Sequence, residues 1–230
     1  MPDFNHTNPE SGDVGLWSGP ACLARTCPVG SDLLRLLPGN ASAPAPERQT
    51  LFCNATGGSF SLTFRGRSTE PVLVADTGAA LKRKLEALES IGLVDVELAG
   101  PRGEPLPPDA PLCSFEWPLG LSDNLGALGT TTTVTFRTEL GDLPLLGVDP
   151  YLLTTRDPYT ARFIGGGVVL AAEAVKGVAA LADCAGRGTC DAGAGLCSCF
   201  PGWFSSDGLN HLGRRGDCGI YSSEQYGSAN

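Results

Sequence analysis

Five of the nine cysteines in this chain fall in the stretch from Cys184 to Cys218. Glycines occupy much of the same stretch, and aliphatic residues are few. A segment of this size and composition cannot bury enough apolar surface to hold itself folded, so covalent cross-links must replace a core. The sequence therefore predicts a disulfide-stapled module near the carboxyl end of the chain.

Zinc binding is the competing interpretation of a cluster of cysteines and glycines. Structural zinc sites favour paired cysteines that are two to four residues apart, with loops between the pairs. The run from Cys184 to Cys199 has a different spacing, Cys-x5-Cys-x6-Cys-x-Cys. Disulfides are favoured over metal, and we expect no metal and no other cofactor.

Cysteine usage also indicates the compartment. Nine cysteines accompany a single methionine, which is typical of an oxidising environment outside the cytosol. Three sequons for N-glycosylation, at Asn5, Asn40 and Asn54, lie in the first quarter of the sequence. We therefore expect an extracellular glycoprotein that is either secreted or held at the cell surface.

The charge balance excludes some partners. The formal net charge is -9, so we expect no basic surface that would bind nucleic acid or anionic membranes. The most apolar stretch, residues 163–181, is interrupted by Glu173 and Lys176, and we expect a strand and a linker there instead of a membrane span.

The pattern of the central region predicts an α+β fold, a small antiparallel or mixed sheet with one packed helix, followed by the cysteine module. Alternating apolar residues predict strands at residues 60–64, 72–74, 94–98 and 131–137, the first two forming a hairpin. Helical spacing predicts one helix over residues 80–88, with Asp76 or Thr77 as its N-cap.

The predicted domain boundaries follow from these elements. Residues 1–48 form a loop-rich segment that depends on Cys22 and Cys27 for order, and residues 49–181 form the sheet domain. The cysteine module covers residues 182–222, and residues 223–230 are a tail. A bridge between Cys53 and Cys113 would tie opposite ends of the sheet domain, although Cys27 competes for either partner.

The cysteine spacing resembles the second to sixth cysteines of an EGF-like module. That resemblance implies pairs between Cys184 and Cys197 and between Cys199 and Cys218. Cys190 takes the third position, whose partner should lie upstream, but no cysteine lies between Cys113 and Cys184. The segment with Cys22 and Cys27 is the natural source of that partner, from the same chain or from another copy.

A wider resemblance joins several motifs in order. Cys53 with the Gly-Ser-Phe-Ser-Leu-Thr-Phe strand, the Ala-Leu-Lys-Arg-Lys-Leu-Glu helix and the final Arg-Gly-Asp-Cys-Gly look like a repeat of large secreted algal and protist proteins, including the EGF-bearing proteins of flagellar mastigonemes. Cys22-Leu-Ala-Arg-Thr-Cys27 resembles the segment that follows a cysteine module in such repeats. The resemblance implies a structural extracellular component, such as a filament subunit.

Two short motifs suggest other activities. The Arg215-Gly216-Asp217 tripeptide occurs in some receptor ligands, but it can equally be a turn with solvated charges. His211 lies near Ser205, Ser206 and Asp207 in a glycine-rich loop that offers no rigid scaffold for a nucleophile. We therefore expect no catalytic residues and no enzyme.

The leading hypothesis is a glycosylated structural protein that assembles with copies of itself into a filament or coat. An odd number of cysteines cannot all pair within one chain, so an intermolecular disulfide would serve such an assembly. The alternative is an adhesion or receptor-binding module that uses the EGF-like region.

Overall fold

The structure, a computed structural model, describes residues 5–7, 14–18, 24–32, 45–114, 129–156, 163–209 and 211–222. The chain divides into two compact units. The first consists of Met1–Pro46, Arg137–Asp142 and Gly177–Asn230, and the second of Glu47–Phe136 and Leu143–Lys176.

Short strands dominate the regular structure of the described residues. They are β1 (Asn5–Thr7), β2 (Val14–Ser18), β3 (Ala24–Arg25), β4 (Val29–Ser31), β5 (Arg48–Asn54), β6 (Gly57–Phe64), β7 (Arg67–Ser68), β8 (Val72–Leu73), β9 (Val94–Ala99), β10 (Thr130–Phe136), β11 (Gly147–Arg156), β12 (Phe163–Gly166), β13 (Val168–Val175), β14 (Leu181–Asp183), β15 (Gly188–Asp191), β16 (Leu196–Cys199), β17 (Trp203–Phe204) and β18 (Ile220–Tyr221). Among the described residues, α1 (Gly78–Glu86) is the α-helix, and a 3-10 turn covers Cys184–Gly186.

The second unit contains two antiparallel sheets. One has the strand order β13-β5-β10-β9, and the other has the order β12-β11-β6-β7 with β8 also paired to β6. In β10 the side chains of Thr132, Val134 and Phe136 are buried, while the threonines between them lie on the other face. This alternation is what a strand with one buried face requires.

Helix α1 begins after Thr77, one of the two predicted caps. The side-chain oxygen of Thr77 accepts a hydrogen bond from the backbone N–H of Ala80 at 3.3 Å, which satisfies one of the unpaired donors of the first turn. Leu81 and Leu85 lie one turn apart on the buried face of the helix. The helix therefore contributes a leucine stripe to the same core as the sheets.

The core of this unit combines the inner faces of both sheets. The rings of Phe64 and Phe136 stack with their centroids 5.3 Å apart. A disulfide joins Cys53, in β5, to Cys113, whose backbone N–H donates to the carbonyl of Val74. The sequence suggests this bridge across the sheet domain but leaves Cys27 as a competing partner, and the structure pairs Cys53 with Cys113.

A buried polar group lies where β5 begins. Glu47 and Gln49 are both fully buried, and the amide nitrogen of Gln49 donates to the Glu47 carboxylate and to the carbonyl of Pro144, each at 3.1 Å. The Gln49 side-chain oxygen accepts from the backbone N–H of Leu146 at 2.9 Å. Both the nitrogen and the oxygen of the Gln49 amide therefore have hydrogen-bond partners. These bonds offset the free-energy cost of removing the amide from water.

The α+β fold class expected from the sequence is wrong. The structure is mostly β-sheet, with several small antiparallel sheets, four disulfides and one α-helix among the described residues. Strands β5 and β11 lie beside the predicted strands β10 and β6 and pair with them, and β13, in the apolar stretch where a strand is predicted, pairs with β5. Regions without a clear apolar alternation became strands because their backbone groups pair with neighbouring strands in the sheet.

The first unit is built from small sheets. Its pairings are β1 with β2, β2 with β3, β4 with β14, β15 with β16, and β17 with β18, all antiparallel. Two-stranded ribbons of this size are marginal without further cross-links. None of the described helices is long and apolar enough to cross a membrane.

Candidate functional site: the cysteine-rich module

Three disulfides hold the carboxyl-terminal module. The structure joins Cys184 to Cys197 and Cys199 to Cys218, the two pairs that the EGF-like resemblance implies. It joins Cys190 to Cys27, so the upstream partner comes from the same chain. The sulfurs of Cys27, Cys184 and Cys197 lie within 4.8 Å of one another, but sulfurs in disulfides are not the thiolates that zinc requires.

A short hairpin presents Cys190 and Cys197. Strands β15 and β16 pair these two residues directly across from each other. The turn between the strands is closed by Asp191, whose carboxylate accepts from the backbone N–H groups of Gly193 at 2.9 Å and Ala194 at 3.2 Å. A short acidic side chain that satisfies the backbone two and three residues ahead is a common way to stabilise such a turn.

The amino-terminal segment completes the module. Strand β4 pairs with β14, and the backbone N–H of Cys184 donates to the carbonyl of Pro28 at 2.9 Å. A Cβ on Gly30 would lie 2.9 Å from the Cβ of Ala185, closer than real contacts allow, so this close approach requires glycine. The module is thus assembled from two stretches that are distant in sequence.

The Arg215-Gly216-Asp217 tripeptide is used for internal contacts. Asp217 is 3% exposed, and its carboxylate accepts from the backbone N–H and the hydroxyl of Ser206 at 2.8 and 2.7 Å, and from the N–H of Gly219 at 3.2 Å. The Arg215 guanidinium donates to the carbonyl of Thr138. A carboxylate so enclosed is not available to a receptor.

The loop before this tripeptide closes on Asp207. Its carboxylate accepts from the backbone N–H groups of Leu209 at 2.7 Å and His211 at 3.0 Å, and it meets the His211 ring at 3.2 Å. Desolvation acts to raise the pKa of Asp207, but these hydrogen bonds and the attraction to His211 outweigh it, so the pKa is lowered from its ordinary value of 3.8.

The serines near His211 have other partners. The Ser206 hydroxyl donates to Asp217, and the Ser205 oxygen accepts from the backbone N–H of Gly216 at 2.7 Å. The His211 ring contacts Asp207, and it is mostly exposed. These contacts give the loop a structural role that a list of its residue types does not reveal.

An aromatic cluster packs the end of the module. The guanidinium of Arg187 lies 4.2 Å from the centre of the Trp203 ring, and Tyr221 meets Trp203 edge to face at 5.5 Å. Arg187 also donates to the carbonyl of Ser31 at 3.2 Å, which ties the cluster to the amino-terminal segment. Arg187 is not predicted from the sequence, because nothing in the local pattern distinguishes it from a solvated arginine.

The remaining predicted residues are spread along the chain. Asn54 ends β5 and is half-buried, and its side-chain oxygen is enclosed without a hydrogen-bond partner among the described residues. Asn5 begins β1. Asn40 and Cys22 lie outside the described residues.

One part of the chain is similar to a known domain family. Residues 181–207 match the model of the EGF-like domain family. No curated protein matches the chain. The matched residues contain the pair Cys184–Cys197 and the hairpin described above. The chain therefore contains an EGF-like, disulfide-rich module, which indicates an extracellular or secreted protein.

Proposed function

We propose that this chain is a non-enzymatic, glycosylated structural protein that assembles with copies of itself into an extracellular filament or surface coat, as mastigoneme proteins do. The observation that carries the proposal is the cysteine count. The sequence has nine cysteines, and the four disulfides use all of them except Cys22. Among residues 1–230, Cys22 therefore has no cysteine left to pair with.

An intermolecular disulfide is the chemistry that this leftover cysteine supports. In an oxidising compartment, a cysteine without an intrachain partner pairs with another molecule or remains a reactive thiol. A second copy of the chain carries the same cysteine, so two Cys22 thiols can form one disulfide, with their two electrons and two protons passing to an oxidant of the compartment, such as another disulfide or molecular oxygen. Such a link would join copies covalently without disturbing the four internal disulfides.

The test is a non-reducing gel of the secreted protein. We expect a covalent dimer that collapses to monomer on reduction, and we expect Cys22→Ser to remove it. The double variant Cys53→Ser and Cys113→Ser is the matched control, because it removes two cysteines but leaves Cys22, so its dimer should persist. A wild-type monomer with one titratable thiol would argue against covalent assembly.

An adhesion module is the second candidate. Leu196, Phe200 and Tyr221 are large apolar side chains that are about half exposed on the EGF-like module. Exposed aromatic residues are enriched at protein interfaces. The Arg215-Gly216-Asp217 tripeptide no longer supports this candidate, because Asp217 is buried.

Electron microscopy of the native material separates the two candidates. Regular fibres or sheets are the outcome expected for assembly. Dispersed particles that bind cells, and that lose binding when Phe200 or Tyr221 is replaced by serine, would favour adhesion.

A further inference from the structure

Three apolar side chains form a patch on the outer face of the sheet that contains β5 and β13. The two strands pair in a regular register from Val168 to Glu173, which places Leu170 directly opposite Phe52. Val168 is 43% exposed, Leu170 is 59% exposed, and Phe52 is half-buried. We call Phe52, Val168 and Leu170 the outer patch. Large apolar side chains that lie together at a surface mark a place where another group binds.

Asn54, the asparagine of one sequon, borders the outer patch. Val168 is its direct cross-strand partner, and Phe52 lies two residues earlier in β5. Side chains alternate between the two faces of a strand, so Phe52 and Asn54 lie on the face opposite to the buried Leu51 and Cys53. Asn54 therefore has apolar neighbours along its own strand and across to the next one.

The sequon Asn54-Ala55-Thr56 lies where β5 ends and the chain turns into β6. Asn54 is half-buried and Thr56 is exposed, whereas Ala55 between them is buried in the core. The enclosed atom of the Asn54 side chain is its oxygen. An N-linked glycan is attached to the nitrogen, so enclosure of the oxygen leaves the atom that bonds to the sugar unaffected.

We propose that Asn54 carries an N-linked glycan whose first sugar packs on the outer patch. The inference rests on the glycosylation included in the proposed function and deepens it, because it names the residue that carries the glycan and the surface that the glycan contacts. It also gives the exposed apolar side chains an occupant that belongs to the same chain.

The attachment is a group transfer from a lipid-linked oligosaccharide. The amide nitrogen of Asn54 forms a bond to the anomeric carbon of the first sugar and loses one proton to a base. The bond between that carbon and the lipid pyrophosphate breaks, and the pyrophosphate leaves with the electron pair. The serine or threonine two residues after the asparagine makes it an acceptor, and Thr56 occupies that position.

The outer patch has the chemistry that packs against a sugar ring. Sugar rings present C–H groups on their faces, and the negative face of an aromatic ring such as Phe52 attracts these groups. Residues two apart in a strand are separated by about 7 Å and direct cross-strand neighbours by about 5 Å, so the patch is within reach of the first sugar on Asn54. Covering Val168 and Leu170 removes apolar surface from water and stabilises the folded chain.

The surroundings of the outer patch suit a sugar for two further reasons. Thr131 of β10 lies directly opposite Phe52, so a hydroxyl borders the patch and can bond to the hydroxyls of a sugar. Strand β13, which begins at Val168, is an edge of its sheet among the described residues. A bulky polar group beside such an edge hinders pairing with strands of other molecules.

Peptide mass spectrometry of the secreted wild-type chain, produced in a eukaryotic host, tests the attachment site. We expect Asn54 to carry a glycan, and we expect Asn54→Gln and Thr56→Ala each to remove it. Thr56→Ser is the matched control, because it keeps the hydroxyl of the acceptor motif and should leave the site occupied. An unoccupied Asn54 in the secreted wild-type chain would overturn the proposal.

Unfolding in denaturant tests the packing. Asn5→Gln and Asn40→Gln together leave Asn54 as the only sequon in the sequence, so enzymatic removal of the glycan then acts at one site. We expect removal to raise the unfolding equilibrium constant by about fivefold or more. Trimming the glycan to its first sugar should raise it by less than about twofold, because that sugar makes the contact.

Phe52→Thr in the same background is the matched variant for this measurement, since threonine is suited to a strand but has no aromatic ring. Glycan removal makes the same chemical change at Asn54 with either residue at position 52, so a difference between the two chains isolates the contact with the ring. We expect removal to change the equilibrium constant of the Phe52→Thr chain by less than about twofold. An equal effect of removal in both chains would contradict packing on the outer patch.

The glycan on Asn54 and the link through Cys22 can fail separately. The non-reducing gel reports the covalent dimer with or without the glycan. A dimer together with an unoccupied Asn54 would contradict only the glycan site. An occupied Asn54 in a chain that remains monomeric would contradict only the covalent assembly.

Discussion

At the scale of single residues, Asp217 shows how a motif can mislead. Its sequence context suggests an exposed recognition tripeptide, but its carboxylate is enclosed and accepts three hydrogen bonds. Charged residues are seldom fully buried unless they are paired or hydrogen-bonded, and here backbone N–H groups and a hydroxyl supply the partners. These partners became visible only in the folded chain, because Ser206 lies eleven residues upstream.

Asp217→Asn should destabilise the protein. The amide retains one acceptor oxygen but turns an N–H₂ group toward the donors of Ser206, so buried donors lose their partners at a cost of about 1–3 kcal/mol. The measurement is the free energy of unfolding in denaturant. Asp183→Asn is the matched control, since Asp183 is exposed in β14 of the same unit, and its effect should fall within about 0.5 kcal/mol. Equal effects of the two variants would contradict the role of Asp217.

Asp207 should make stability depend on pH. Its pKa is lower in the folded chain than in the unfolded one, so its contribution is present above about pH 4 and is lost as the pH falls through the folded pKa. We expect Asp207→Asn to be less stable than wild type at pH 7, and the difference to shrink in acid. His211→Ala should retain most of this dependence, because the backbone donors remain. A stability difference between wild type and Asp207→Asn that stays constant with pH would contradict this role of Asp207.

At the scale of elements, alternation and capping predicted much of the second unit. Strands β6, β8, β9 and β10 lie where apolar residues alternate, and α1 begins after its predicted cap, Thr77. Strand β5 was not predicted, because its inward-facing positions include Gln49, a polar residue that is buried only because Glu47, Pro144 and Leu146 supply partners. Local pattern identifies strands with apolar inner faces and misses those that depend on distant partners.

The first unit could be predicted less completely, for a related reason. Residues 24–32 have no periodicity and were expected to be loop-like, but they contain β3 and β4. Strand β4 exists because β14 pairs with it, about 150 residues later in the chain. The EGF-like resemblance implied where the module lies, two of its disulfides, and the segment with Cys22 and Cys27 as the source of the partner of Cys190. The choice of Cys27, in the same chain, required the folded chain.

At the scale of the whole molecule, the proposed link through Cys22 limits what it can build alone. A single two-fold contact joins two copies and then closes. The link between two Cys22 residues is such a contact, so by itself it produces a covalent dimer. A filament or coat therefore needs a second contact between copies at a different surface, and alternating the two contacts produces an open series of copies.

The disulfide between Cys27 and Cys190 should dominate the stability of the first unit. Its cysteines are 163 residues apart, the largest separation of the four, and closing such a loop stabilises the folded chain by about 5 kcal/mol in the chain-entropy model. The inner disulfide between Cys53 and Cys113 shortens the effective loop and reduces this figure somewhat. We expect the double variant Cys27→Ala and Cys190→Ala to lower the free energy of unfolding by several kcal/mol.

Hydrogen exchange would locate that loss. Without the bridge, β4 is held to β14 by a three-residue ladder, which is marginal in water, so amides in residues 24–32 should lose protection. The double variant Cys53→Ala and Cys113→Ala, whose loop lies in the second unit, should leave these amides protected. Unchanged protection in residues 24–32 after loss of the Cys27 bridge would mean that the amino-terminal segment is held by its hydrogen bonds and packing, because the cross-link would then add nothing to its local stability.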